Sequence, residues 1–136
     1  MTAFLDTNIL LYSISTAADE VSKRMRAIAL TDRDDCVVSV QVLQEFYVQA
    51  TRASRTDPLP HELAAGLIKT WLRFRVQENT VPISQGALEI KRAYGFSYWD
   101  SAIISAAREA GCSELFSEDL SHGQIVEGVR IVDPFR

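Results

Sequence analysis

The chain has 136 residues, the length of one ordinary domain, and we expect residues 1–136 to form a single domain. Apolar residues make up 47% of the chain and charged residues 24%, enough to bury a core and keep the protein in solution. No stretch approaches the roughly 20 apolar residues of a membrane span, and the N-terminus lacks a signal-peptide pattern, so we expect a cytoplasmic protein that contacts no membrane. The net charge of −4 argues against non-specific coating of DNA, although acids gathered in one site would leave a more basic surface elsewhere.

The apolar pattern alternates between short runs typical of buried strands and the spacing of amphipathic helices. Strands are predicted at 3–5, 36–38, 80–83, 115–116 and 129–132. Helices are predicted at 8–14, 19–31, 40–50 and 63–72, after 84, and at 103–110, where Gly111 ends the last helix. Pro82 suggests that its strand ends there or lies at an edge. The segment 57–60, with two prolines, is predicted to be a loop between helices.

Short strands that alternate with helices indicate an α/β fold with a mainly parallel sheet of four to five strands, covered on both faces. In such folds ligands bind beyond the carboxyl ends of the strands. This rule identifies the part of the molecule in which to look for chemistry.

Four acidic residues are candidates for that edge of the sheet. Asp6 directly follows the first predicted strand, Asp119 follows the fourth, Asp100 opens a helix, and Glu45 lies in the helix after the second strand. Strand ends and the helix starts that follow them share one rim, so Asp6, Asp100 and Asp119 can meet there. Glu45 requires its helix to lean over the same rim.

Each acid also has a simpler explanation. Asp6 is of the residue type that caps helix N-termini, and Asp100 follows Ser97 by three positions, which is the capping-box pattern. Glu45 lies opposite the apolar positions of its helix, where a solvated face is the usual explanation. Asp119 can belong to an ordinary turn, and Glu118 beside it leaves open which of the two acids faces inward.

Taken together, the acids indicate a divalent cation. Carboxylates brought close together repel, and a cation keeps them ionised. Oxygen ligands without cysteine or histidine suit Mg²⁺, with Mn²⁺ as a second candidate. The two histidines, His61 and His122, stand in polar surroundings and are predicted to lie at the surface. Cys36 and Cys112 lack the spacing of a metal or redox motif and are predicted to be free thiols.

The motifs around these acids resemble those of the PIN-domain nucleases, and more closely those of VapC-type toxins, the ribonuclease halves of bacterial toxin–antitoxin pairs. The resemblance runs nearly end to end and rests on Asp6-Thr7-Asn8, Ser39 to Glu45, Tyr98-Trp99-Asp100-Ser101, Ser117-Glu118-Asp119-Leu120 and the closing 130–135. Each motif alone is weak, and their order and number make the resemblance specific. It implies a three-layer α/β/α PIN-like domain with a short, mainly parallel central sheet.

The resemblance further implies an endoribonuclease that uses Mg²⁺ to hydrolyse RNA. It makes Asp6, Asp100 and Asp119 the metal ligands, with Glu45 as a further catalytic acid and Asp119 favoured over Glu118. Thr7, Asn8 and Ser39 fall at positions that support the site, Asn8 by hydrogen bonding. A homodimer and a cognate antitoxin protein that enters the active-site groove are the implied partners.

RNA binding also requires positive charge. Arg52 and Arg55, Lys91 and Arg92, and Arg73 and Arg75 form three basic clusters, for which a solvated surface is the default explanation. Arg52 and Arg92 are the predicted phosphate contacts.

Two other functions remain open at this stage. One is a magnesium-dependent phosphohydrolase of small phosphate esters, although its usual second aspartate is replaced here by Asn8. The other is a non-catalytic protein-binding module, which would have no need of the complete set of acids.

Overall fold

A computed structural model describes residues 2–136, which form a mostly parallel sheet with helices on both faces. The strands are β1 (Ala3–Leu5), β2 (Cys36–Ser39), β3 (Arg75–Gln77), β4 (Glu114–Phe116), β5 (Ile125–Val126) and β6 (Val129–Val132). The helices are α1 (Thr7–Ser13), α2 (Val21–Thr31), α3 (Val40–Ala50), α4 (His61–Trp71), α5 (Val81–Tyr94) and α6 (Tyr98–Glu109), with a short 3-10 turn at Ala18–Glu20. None of these helices, within residues 2–136, is long and apolar enough to cross a bilayer.

The sheet has the strand order β3-β2-β1-β4-β6-β5, and only β5 is antiparallel to its neighbour. The α/β class and the mainly parallel sheet are confirmed, with six strands instead of the four to five predicted. The connections from β1 to β2 and from β2 to β3 move in one direction, whereas that from β3 to β4 returns across the sheet. Because parallel crossovers are right-handed, this reversal places α1 to α4 on one face and α5 and α6 on the other.

The core lies on both sides of β1, whose three residues are completely buried. On one face, Phe46 of α3 packs edge to face against Trp71 of α4 with ring centroids 4.7 Å apart, so Trp71 is a core residue. On the other face, the small residues of α6 are buried from Ser101 to Ala107, which allows α6 to lie close to the sheet and to α5. This packing holds the strand ends in fixed positions.

The strand predicted at 80–83 is wrong, because this segment begins α5. Thr80 caps the helix by accepting a hydrogen bond from Ile83 N at 3.3 Å, and Pro82 lies in the first turn, where no backbone N–H is needed. The third strand is instead β3, a short and partly exposed segment at the sheet edge. Because its two end residues, Arg75 and Gln77, are polar, β3 lacks the apolar run by which the other strands were predicted.

The sixth strand comes from a hairpin that the sequence pattern did not reveal. β5 pairs with β6 through a two-residue turn in which Glu127 and Gly128 have φ of 50° and 84°. Two consecutive positive φ values are typical of the tight turns that match the twist of a hairpin. The helix end predicted at Gly111 is confirmed, since α6 ends at Glu109 and Gly111 has φ of 76°.

Candidate active site

The reversal of the chain path between β1 and β4 opens a crevice at the carboxyl ends of these two neighbouring strands. The connection that follows β1 leads to one side of the sheet and the one that follows β4 leads to the other. Such a switch point is where open α/β sheets bind ligands. Asp6 is the first residue after β1, and Ser117, Glu118 and Asp119 directly follow β4.

Asp6 is buried in this crevice, with only 6% of its surface exposed. Its Oδ1 accepts a hydrogen bond from Thr7 N, and its Oδ2 accepts one from Ser117 Oγ, both at 2.7 Å. The first bond makes Asp6 the N-cap of α1, so the capping explanation is correct as far as it goes. The second bond crosses to the β4 loop, which a cap does not require.

Burial raises the pKa of the Asp6 carboxyl from 3.8 to about 6. The hydrogen bonds from Ser117 and Thr7 lower this pKa, and the nearby carboxylates of Glu45 and Asp119 raise it. A buried carboxyl beside two other acids is costly to ionise without a compensating positive charge. The site therefore has the electrostatics that a bound cation would relieve.

Glu45 and Asp119 reach Asp6 through the residues that follow it. Thr7 donates its hydroxyl hydrogen to Glu45 Oε1 at 2.8 Å, which ties α3 to α1. Asn8 donates from Nδ2 to Asp119 Oδ2 at 3.1 Å and to Ser117 Oγ at 3.3 Å. Three of the four predicted acids thus belong to one hydrogen-bonded group, and Glu45 does not simply face solvent.

Glu118 is directed away from Asp6. Its carboxylate accepts hydrogen bonds from Tyr12 OH and Lys23 Nζ, each at 2.5 Å. Lys23 also lies over the Tyr12 ring, 4.9 Å from its centroid. Because these contacts occupy both oxygens of Glu118, Asp119 is the acid of this pair that remains for the crevice.

Asp100 lies half-buried at the third position of α6, outside this hydrogen-bonded group. Ser97 Oγ accepts a hydrogen bond from Asp100 N at 3.1 Å. This is one of the two hydrogen bonds of a capping box, and it uses the backbone of Asp100 and not its carboxylate. Its carboxylate has no hydrogen bond to any residue in 2–136. Gln41 of α3 donates to Trp99 O at 3.3 Å and so connects the helix of Glu45 to the start of α6.

Ser39 is completely buried and acts as the N-cap of α3, accepting a hydrogen bond from Val42 N at 3.2 Å. Ser39 therefore contributes to the site indirectly, by stabilising the start of the helix that carries Glu45.

A divalent cation fits the chemistry of this site. The available ligands are carboxylate, amide and hydroxyl oxygens, which suit Mg²⁺. Within residues 2–136, no three His, Cys, Asp or Glu side chains are arranged as ligands of a single ion. Mg²⁺ commonly takes only one or two protein carboxylates and completes its shell with water and phosphate oxygens, so Asp6 with one partner acid would suffice.

The basic residues differ in where they lie and in what they contact. Arg52 lines a groove that also contains Asn8 and Asp119, and Arg92 lies in the last turn of α5, next to the loop that leads into α6. Arg73 and Arg75 instead donate hydrogen bonds to Thr31 O and Ala110 O, at the C-terminal ends of α2 and α6. These two arginines satisfy free helix carbonyls, which explains the cluster structurally.

Both histidines are exposed, as predicted, and neither contacts the acids: His61 Nδ1 bonds Tyr47 OH at 2.9 Å and His122 Nδ1 accepts from Asp133 N at 3.0 Å. Cys36 and Cys112 are free and buried.

Ser117 is the site residue that the sequence reasoning did not select. It is completely buried and contacts Asp6, Asn8 and the backbone N–H of Asp119. The only signal was its place directly after a predicted strand and before two acids, a position at which serine is common in turns.

Comparison with known proteins agrees with the fold and the motifs. The chain matches the PIN-domain family model over residues 3–126 and belongs to the PIN-domain family. A sequence comparison with curated proteins gives no match.

Three solved structures illustrate the likeness of the fold. A toxin–antitoxin complex from Klebsiella pneumoniae is 19% identical, covers 98% of each chain and has a TM-score of 0.70. VapC20 of Mycobacterium tuberculosis, a sarcin–ricin loop cleaving toxin, is 20% identical over 93% of this chain and 98% of its own, with a TM-score of 0.69. DNA-bound VapBC of Salmonella typhimurium is 19% identical, covers 98% of each chain and has a TM-score of 0.69.

Proposed function

We propose that this protein is a Mg²⁺-dependent endoribonuclease and the toxin of a toxin–antitoxin pair, active on RNA in the cytoplasm. The observation that carries the proposal is the buried carboxyl of Asp6, with its raised pKa, hydrogen-bonded at the switch point to the residues that hold Glu45 and Asp119. The membership of this protein in the PIN-domain family and its likeness to toxin structures support the nuclease role.

Asp6 is the proposed central ligand of Mg²⁺, with Asp119 and Asp100 as the acids that reach the same ion from the β4 loop and from α6. When bound, the ion would lower the pKa of its water and stabilise charge on the phosphate. Ser117 and Thr7 hold the Asp6 carboxylate in one orientation. The hydrogen bond from Thr7 to Glu45 Oε1 leaves Oε2 free to orient the attacking water.

Two partners follow from the likeness to toxin–antitoxin structures. We propose that a cognate antitoxin covers the acidic crevice and keeps the enzyme inactive. We also propose that the chain forms a homodimer, which light scattering of the purified protein would test.

The decisive experiment incubates labelled RNA with the protein in Mg²⁺ and in EDTA. Cleavage is expected in Mg²⁺ and not in EDTA. Asp6→Asn and Asp100→Asn are expected to abolish cleavage while the variants stay folded. Asp34→Asn is the matched control, because Asp34 is exposed in the loop before β2, at the opposite edge of the sheet. Cleavage by the Asp6 variant at the wild-type rate would refute the proposal.

The same assay separates the alternatives. Intact RNA together with hydrolysis of a small phosphate ester, such as p-nitrophenyl phosphate, would favour the phosphohydrolase. Failure to cleave either substrate would favour the protein-binding module.

A further inference from the structure

A groove of about 380 Å³ begins at the acids and runs between α1 and the end of α3. Asn8 and Asp119 line it at the acidic side, and Arg52 and Arg55 line it at the other. Leu11 and Tyr12 add apolar surface between them. The groove therefore offers a positively charged side, an apolar wall and an open connection to the proposed metal site.

Arg52 lies just beyond the helix that carries Glu45. α3 ends at Ala50, and Arg52 follows two residues later. Glu45, Gln49 and Arg52 line one depression next to the groove. A guanidinium on the same surface as Glu45 suits a phosphate that neighbours the cleaved one.

Arg52 and Arg55 have no internal electrostatic partner. Within residues 2–136, neither side chain makes an ion pair or a hydrogen bond. Glu118, which also lines the groove, pairs with Lys23, and the other acids that line it are Asp119 and Glu20. Two unpaired guanidinium groups that line the same groove form an anion-binding feature.

The loop that carries these arginines is anchored at several points. Arg55 N donates to Arg52 O at 3.0 Å, and Leu59 N donates to Ala50 O at 2.8 Å, which closes the loop onto the end of α3. Thr16 Oγ1 donates to Asp57 Oδ2 at 2.9 Å and ties the loop to the segment after α1. An anchored loop presents both arginines at little entropic cost.

From these observations we infer that the groove binds one nucleotide of the RNA strand beside the cleaved bond, with Arg52 and Arg55 binding its phosphate. The inference rests on the proposed ribonuclease function and assigns a binding subsite to it. Guanidinium and phosphate form paired, charge-assisted hydrogen bonds, and the surface of Leu11 and Tyr12 suits the sugar and the base.

The test measures binding separately from cleavage. The Asp6→Asn protein is titrated with a fluorescent 12-nucleotide RNA over a range of salt concentrations, alone and combined with Arg52→Gln, Arg55→Gln or both. Each arginine change is expected to weaken binding about tenfold and to reduce the slope of log Kd against log salt by about 0.7. Arg108→Gln, which removes an exposed arginine at the far end of α6, is the control and should change neither.

A second measurement changes the RNA. RNAs with one neutral methylphosphonate linkage are compared, and the linkage next to the cleaved bond should weaken binding to the Asp6→Asn protein. The same RNA should bind the double arginine variant no more weakly than unmodified RNA does, because the contact is already absent.

The outcomes separate this inference from the proposed function. RNA binding that depends on the arginines, without cleavage by the wild type, would refute the ribonuclease and leave the subsite standing. Unchanged affinity and salt slope in the double variant would overturn the subsite, whether or not RNA is cleaved. Loss of antitoxin binding alone would overturn it too, since the arginines would then serve a protein partner.

Discussion

Replacing Asp6 by asparagine should stabilise the metal-free protein at neutral pH while it removes cleavage. Asparagine keeps the carbonyl that accepts from Thr7 N, and its amide can donate to Ser117 Oγ in place of the long bond from Asn8 Nδ2 at 3.3 Å. The variant loses the charge and about one hydrogen bond, so its fold should remain.

The expected gain in unfolding free energy follows from the raised pKa of Asp6. The folded carboxyl has a pKa of about 6 against an ordinary value of 3.8, so the folded state binds the proton more tightly between these values. Stability therefore falls as the pH rises through this window, and the loss is complete above pH 6. At 1.36 kcal/mol per tenfold difference in proton affinity, the cost is about 3 kcal/mol. The rearranged hydrogen bond costs about 1 kcal/mol, which leaves a net gain of about 2 kcal/mol.

Urea unfolding of both proteins at pH 4 and pH 7.5, in EDTA and in Mg²⁺, measures this effect. The variant should be about 2 kcal/mol more stable than the wild type at pH 7.5 in EDTA and should lose this advantage at pH 4. Mg²⁺ should stabilise the wild type and leave the variant unchanged. If the variant is less stable by the same margin at both pH values, Asp6 acts as a helix cap alone and the reasoning fails.

Three further changes test the site and the packing around it. Ser117→Ala removes the donor to Asp6 and should cost about 1–3 kcal/mol at pH 7.5 but less at pH 5, where Asp6 is largely protonated; equal losses by urea unfolding at both pH values would contradict this link. Gly86→Ala places a Cβ 2.5 Å from Ser105 Oγ, which bonds Ile83 O, so a net loss of about 1 kcal/mol is expected after the gain in helix propensity. Gly66→Ala in α4 meets no atom within 4 Å and should instead stabilise by about 0.5–1 kcal/mol, and thermal unfolding that ranks the two glycine variants in the opposite order would refute the close α5–α6 contact.

Elements with a strong local pattern were predicted well, and the errors occurred where the pattern was weak. β1 and α3 have regular apolar positions, and both lie where the sequence indicates. At 80–83 the β-branched residues suggested a strand, but Thr80 as a cap and Pro82 in the first turn favour a helix. β3 lies at the edge of the sheet, where one side needs no apolar residues, so its strand character comes from pairing with β2.

The amino-acid sequence alone was enough to predict the α/β class, the order of most elements and four candidate acids, because helix and strand periods and cap residues act over a few neighbouring positions. Which of these acids lie together became known from the three-dimensional structure. Ser117 reaches Asp6 across 111 positions, Lys23 draws Glu118 aside so that Asp119 faces the crevice, and Arg73 and Arg75 cap helices. Such contacts depend on which strands become neighbours, and that is set by burial over the whole chain and not by any local segment.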